Sequence, residues 1–386
     1  MFPTAQTLTS APAATRTAPI LSPARIAGLG LFLIVLAFWM LRHPYEGLVH
    51  DSILYVFAAL ARLHPASLAH DIYLTVGVQD RFTIFSPVAA GVFRFTGPQR
   101  GAALITLASQ IAFFTGAWLL ARRLISPSVA LLSVALLIVL PPVYGDGHIF
   151  SYAESFMTAR LPAEALVLAA LVAIVSERPL LGVGSLAAAA LLHPIIAAAG
   201  AMLWLMLSVG LARPRLLTAL AVGAFAVLMA AAWLVPFGPI ARFDTGWFDL
   251  LYGRGAYLFP SRWSEVAWAH GSVPLATLAL AALTSSRPRV RSVCLAGLAM
   301  GLSGLAISLV GSDLLRIVLV SQAQPWRWLW LSNALAVLLI PAIAEDCWNA
   351  GDLRRAAMVL LAAAWVCIDE PFVPVIAVLA IAAAAL

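Results

Sequence analysis

The sequence predicts an all-α polytopic membrane protein with about 11–12 transmembrane helices and a long first outer loop carrying interfacial helices. Three observations lead there. Hydrophobic residues make up 63% of the 386 and charged residues only 10%, with a mean hydropathy of +0.98. A soluble domain carries roughly 25% charged residues. Too little polar surface remains here for water, so lipid must solvate most of the chain. Apolar runs recur along the whole length, near the ~20 residues that cross a hydrocarbon core of ~30 Å. Finally, the arginines gather in short turns between those runs, the pattern of cytoplasmic loops.

Taken in order, residues 1–23 are rich in Ala, Pro, Thr and Ser and read as a disordered cytoplasmic tail. Residues 24–386 read as a single transmembrane domain. Its first run, about 26–41, lacks a small-residue cleavage site before Trp39-Met40-Leu41-Arg42 and reads as a retained anchor. Further spans fall at about 101–120, 125–143, 161–176, 179–193, 195–210, 216–235, 272–285, 292–310, 327–343, 356–368 and 372–386. The pair meeting at His193-Pro194 could be one broken helix, because proline removes a hydrogen bond and kinks the chain. Two short spans are preferred there, since a single one would invert the charge pattern that follows. The mid-span segments read as almost free of charge.

All 23 basic residues are arginine, and they set the net charge of +6 and the pI of about 9.7. Turns holding Arg122-Arg123, Arg178, Arg213 and Arg215, Arg287 with Arg289 and Arg291, and Arg354-Arg355 lie on one side. The opposite loops, about 43–100, 144–160, 236–271 and 311–326, are long and arginine-sparse. With the N-terminus cytoplasmic, all four face the periplasm of a bacterial inner membrane. They also hold six of the seven histidines, and His193 sits at the outward tip of a span. No basic stripe interleaved with aromatics occurs, so nucleic-acid binding is excluded as a reading. Walker A, dinucleotide-glycine, HExxH and GxSxG patterns are absent, which excludes the chemistries they serve. The three cysteines, Cys294, Cys347 and Cys367, fit neither a zinc spacing nor a disulfide framework and read as small apolar packing residues.

The first outer loop is the richest in signals. About Ser52–Leu63 and Ser86–Phe95 have apolar residues at helical spacing but cannot span, and read as interfacial helices. Charged residues including Arg81 lie between them. Glu46 and Asp51 stand at the lip of span 1, where a carboxylate can act as a general base. Asp51 could equally cap the helix that follows, and Glu46 could be a solvated charge. In the second loop, Asp146, His148, Tyr152 and Glu154 crowd nine residues. Asp146-x-His148 with Glu154 could hold a divalent metal ion, while a plain turn explains Asp146 between glycines and a pair with Arg160 explains Glu154. His193 is an ionisable group at membrane depth or a helix-break residue satisfying freed backbone. Arg242, among the aromatics of the third loop, suits a phosphate or sugar at an interface. Arg327, flanked by Trp326 and Trp328, could hold a phosphate or snorkel to headgroups.

A first span followed by a large outer loop with an acidic residue near its start and two interfacial helices resembles the GT-C superfamily of membrane glycosyltransferases. The local string is GLVHDSILY, residues 47–55. The resemblance covers topology over about the first 240 residues. It implies transfer of a sugar from a polyprenyl-phosphate donor at the outer face, with Asp51, or alternatively Glu46, as catalytic carboxylate. It also implies substrate contacts from His50, Arg81, Asp146, His148, Tyr152, Glu154, His193, Arg242 and Arg327, with membrane lipid as the surrounding partner. Family members carry an acidic pair where this chain has His50-Asp51, which leaves metal dependence open. Two other readings stand beside it: a secondary transporter or lipid flippase, and a polymerase or ligase of surface polysaccharide.

Overall fold

The computed structural model describes residues 23–68, 70–75, 82–210 and 240–386. The predicted tail (Pro23 excepted), the predicted span at 216–235 and Arg81 lie outside them. Apart from one two-stranded hairpin, regular structure among the described residues is helical. Helices run α1 Pro23–Arg42, α2 Ser52–Leu63, α3 Pro65–Leu68, α4 Ile72–Thr75, α5 Phe85–Thr96, α6 Pro98–Leu124 and α7 Pro127–Val139. Strands β1 Val143–Tyr144 and β2 Phe150–Ser151 follow, then α8 Arg160–Val175, α9 Pro179–Leu192 and α10 Pro194–Leu205. Beyond the undescribed stretch come α11 Thr245–Arg254, α12 Glu265–Thr284, α13 Pro288–Ser308, α14 Val318–Ala323, α15 Leu329–Trp348, α16 Asp352–Val366 and α17 Val373–Ala385.

Proline sets many of these starts. α6, α7, α9, α10 and α13 carry it in their first turn, where the missing N–H is one the helix would leave unpaired anyway. Four helical stretches among the described residues are long and apolar enough to cross a membrane: Pro98–Leu124, Glu265–Thr284, Pro288–Leu314 and Val318–Trp348. Others are shorter, including Pro127–Val139, Pro179–Leu192 and Val373–Ala385. The molecule is therefore an all-α protein with membrane-spanning helices. Its outer shell carries Leu29, Ile34, Phe38, Leu104, Leu180, Leu302, Val359 and Val375 exposed, a surface suited to acyl chains and not to water. α15 lies innermost, packed on α7, α12, α13 and α16.

Two local readings change and a third, the preferred one at His193, holds. The predicted span at 125–143 stops as a helix at Val139, because Pro141-Pro142 turns the chain into the β1–β2 hairpin. The outer segment 311–326 is coiled and not an open loop: α13 continues as a π-helical turn, Leu309–Leu314, and α14 follows. At His193 the chain folds back sharply. A Cβ on Gly200 would meet Leu186 Cδ2 at 2.7 Å and Val167 Cγ1 at 2.8 Å, so α10 returns along α9 and α8. Two short arms, and not one kinked rod, is the arrangement. Small residues allow this closeness, as in membrane helix packing generally.

The arginine-sparse segments meet one another at one end of the bundle. Glu46 N–H donates to the Ser155 carbonyl at 2.9 Å, and Ile84 N–H to Leu191 at 2.8 Å. Asp146 accepts from Ser264, Ser261 pairs with Asp313, and Arg242 Nε donates to the Leu315 carbonyl at 2.9 Å. At the other end Arg287 pairs with Glu345 and Asp346, and Arg289 with Glu177.

Candidate functional site

Where the first two long segments meet, charge is buried. The stretch between β2 and α8 is irregular and enclosed, so its backbone needs internal partners. Tyr152 N–H donates to the Pro142 carbonyl, Ala153 N–H to Glu164 Oε2 at 2.9 Å, and Gln110 Nε2 to the Glu154 carbonyl at 3.2 Å. That scaffold sets Glu154 and Arg160 in the interior, 4% and 3% exposed. Arg160 Nε and Nη2 reach the Glu154 carboxylate at 3.0 and 2.8 Å, and Thr158 donates to it at 2.7 Å. The remaining arm, Nη1, holds Asp51 Oδ2 at 2.8 Å.

Asp51 therefore does not cap α2: its carboxylate makes no bond to the helix start, and points instead across the segment boundary to Arg160. Its side chain is 47% exposed, and Oδ1 has no partner among the described residues. The fork of Arg160 thus satisfies a dry carboxylate on one side and aims a half-open one on the other.

A second guanidinium lies beside the first without such partners. Arg327 is 7% exposed, its Nε is buried with no acceptor, and its side chain makes no hydrogen bond or ion pair among the described residues. It stands over the face of Phe150 at 3.8 Å, while Arg160 stands 5.6 Å from the same ring. The turn that aims it, Pro325–Trp328, starts from Gln324 in the left-handed region (φ 47°). Ser308 Oγ accepts the Trp326 N–H at 2.9 Å, and a Cβ on Gly304 would strike the Pro325 carbonyl oxygen. Close helix–turn packing thus fixes Arg327 in the interior. Tyr144 lies within its electrostatic reach, but burial pushes that phenol well above its ordinary pKa. At neutral pH Tyr144 is a neutral donor and no counter-ion.

The other sequence candidates divide. His193, 3% exposed, accepts the Ile196 N–H on Nδ1 at 3.3 Å and starts α10; it satisfies a backbone donor, not a freed carbonyl. It lies within electrostatic reach of Arg327 and Arg160. Tyr152 is a packing residue, fully buried and stacked on Phe113 at 5.7 Å. Asp146 docks on Ser264, with Oδ1 3.1 Å from its N and 2.9 Å from its Oγ. The predicted Asp146–His148–Glu154 metal set is not assembled, because Asp146 and Glu154 are committed to Ser264 and Arg160. His148 instead faces His270, ring centroids 5.4 Å apart. Arg242 is exposed and bound to a backbone carbonyl. Glu46 is exposed on the rim, and His50 lies 5.2 Å from the Phe156 ring.

Sequence reading overlooked Glu164, fully buried one turn beyond Arg160 with Oε1 unpaired. The rule that an ionisable residue inside an apolar span marks function would have found it, near the start of the predicted span 161–176. Below this region, α6 and α8 leave an apolar cleft of about 670 Å³ lined by Ala108, Ile111, Thr115, Pro162, Leu166 and Val172. Its walls include Ser109 and Pro162, next to Gln110 and close to Arg160 in sequence.

Comparison with protein-family models, with curated proteins and with solved structures finds no match to this chain.

Proposed function

We propose that this protein is a GT-C-like glycosyltransferase of a bacterial inner membrane, working on a polyprenyl-phosphate sugar donor at the outer, periplasmic end of an 11–12-span bundle. The observation that carries the reading is Arg327: a buried guanidinium with no counter-ion among the described residues, sharing the Phe150 ring with Arg160, which holds a half-open carboxylate. A desolvated cation without a partner is costly, and a phosphate supplies both the charge and the paired acceptors it lacks. In this mechanism the lipid chain lies along the α6–α8 cleft and its phosphate meets Arg327. Asp51 Oδ1 takes the proton of an acceptor hydroxyl. The hydroxyl oxygen bonds to the anomeric carbon as the carbon–oxygen bond to phosphate breaks, the phosphate leaving with the electron pair and the configuration inverting.

Sugar transfer from a panel of radiolabelled polyprenyl-phosphate donors, by the purified chain and by Asp51→Asn, tests this. Asparagine keeps the size and the bond to Arg160 but is no base, so transfer should fall at least about 100-fold with thermal stability unchanged. Transfer at the wild-type rate in Asp51→Asn would remove Asp51 from the chemistry, leaving Glu46 as the remaining carboxylate.

One observation favours a second reading, secondary transport. Glu164 is a fully buried carboxyl with a free oxygen inside an apolar helix, the kind of group that relays protons. Proton-coupled flux in proteoliposomes that disappears in Glu164→Gln, with no sugar transfer from any donor, would replace the first reading with this one.

A further inference from the structure

A third cluster lies outside the Arg160 and Arg327 constellation. His148 is exposed at the tip of the β1–β2 hairpin, His270 is buried on the second turn of α12, and Asp369 is exposed in the turn joining α16 to α17. One ligand-capable atom from each lies within 4.8 Å of the other two. The hairpin tip is brought there by Asp146, whose carboxylate accepts from Ser264 at the N-terminus of α12. The resemblance offered His148 as a substrate contact, but the transfer steps proposed above use none of the three.

An ordinary structural histidine would satisfy both ring nitrogens. His270, 2% exposed, gives Nε2 to Asp369 Oδ1 at 2.9 Å, while its Nδ1 is buried without a partner among the described residues. An ion held between Nε2 and Asp369 would leave Nδ1 protonated and equally unpaired, so the approach of the three ligand atoms is what defines the site. A second imidazole stands edge-on beside it, at 5.4 Å between centroids. Two imidazoles and one carboxylate with an open fourth position are a donor set suited to a first-row divalent ion. Bonds of about 2.0 Å in tetrahedral geometry put ligand atoms roughly 3.3 Å apart, so the widest pair must close by up to about 1.5 Å. His148, on an exposed turn, is the member free to do so.

We propose that His148, His270 and Asp369 form a binding site for a divalent transition-metal ion of the zinc class. The ion would tie the hairpin carrying Phe150 to α12 and to the α16–α17 turn, three segments far apart in sequence. Through Phe150 it would stiffen the ring on which Arg327 rests.

The test uses the full chain in detergent, purified with a tag free of histidine and stripped with chelator, then titrated with Zn²⁺ by calorimetry and with Co²⁺ by visible absorption. The expected result is one equivalent of Zn²⁺, a Co²⁺ ligand-field spectrum and a rise in unfolding temperature on adding Zn²⁺, as binding to the folded state requires. His148→Ala and Asp369→Asn, both at exposed positions and so not needed for folding, should each weaken Zn²⁺ at least about tenfold and abolish the temperature rise. A double variant at the exposed His64 and His70 should leave all three readings intact. Absence of one-to-one binding, or binding that His148→Ala and Asp369→Asn leave unchanged, overturns the proposal. Because no donor or acceptor sugar enters these measurements, their failure would leave the transferase reading standing, and the reverse also holds.

Discussion

Two buried arginines share one aromatic ring and differ in everything else. Arg160 has its charge matched twice over, by Glu154 inside and Asp51 at the rim. Arg327, 3.8 Å from the Phe150 centroid and 5.7 Å from that of Trp326, has aromatic faces but no hydrogen bond or ion pair among the described residues. A bulky cation removed from water loses several kcal/mol of hydration, and a desolvated cation–π contact returns only about 2 kcal/mol. Arg160 is therefore a structural joint whose neighbours complete it, whereas Arg327 is a buried cation that no described residue pairs. The pairing teaches how to tell the two apart: burial is common to both, and the partner inventory decides.

The largest effect should come from breaking the matched member. Glu154→Gln leaves Arg160 buried with its main counter-charge gone, and should destabilise the protein by about 3–5 kcal/mol, read by thermal or denaturant unfolding in detergent. An unchanged unfolding temperature would show that Asp51 alone suffices and that the two arginines are less different than argued. Next in size is the shared ring. Phe150→Leu removes the face under both cations and should cost about 2 kcal/mol in the same assay; a loss below about 0.5 kcal/mol would mean that neither guanidinium leans on it. The smallest stability effect belongs to Arg327→Met. Methionine fills the same volume without charge, so relief of desolvation offsets the lost ring contact and unfolding should change by less than about 1 kcal/mol. Transfer from a polyprenyl-phosphate donor should nonetheless collapse. A stability loss comparable to that of Glu154→Gln would expose a structural partner for Arg327 and erase the contrast.

Much of the site was legible one residue at a time and little of it as an arrangement. Arg327 stood out because a charge among tryptophans in an apolar run is rare, and Asp51 because it opens an amphipathic helix after the first span. Their roles in space were not written in those neighbourhoods. Asp51 reads locally as a helix cap, yet its carboxylate goes to Arg160, 109 residues away in sequence. Asp146, His148 and Glu154 lie within one short stretch and look like a joint ligand set, but a hairpin sends them to three separate partners. The cluster of His148 with His270 and Asp369 had no local signal, since its members come from a hairpin, a helix and a turn. Spacing reports only on neighbours along the chain, and these contacts depend on which segments the bundle brings to one end.

By itself the sequence determined the solvent and the repertoire of elements. An apolar, charge-poor chain must satisfy its backbone internally, so it folds as helices; its prolines mark where many of those helices begin. It also determined the sorting of short arginine turns from long arginine-sparse segments, which meet at opposite ends of the bundle. Tertiary structure alone decided which helices reach spanning length and which buried charges find partners. The reason is physical: hydropathy and backbone satisfaction act residue by residue along the chain. The state of a buried charge depends on the few groups within about 4 Å of it, and only packing chooses those.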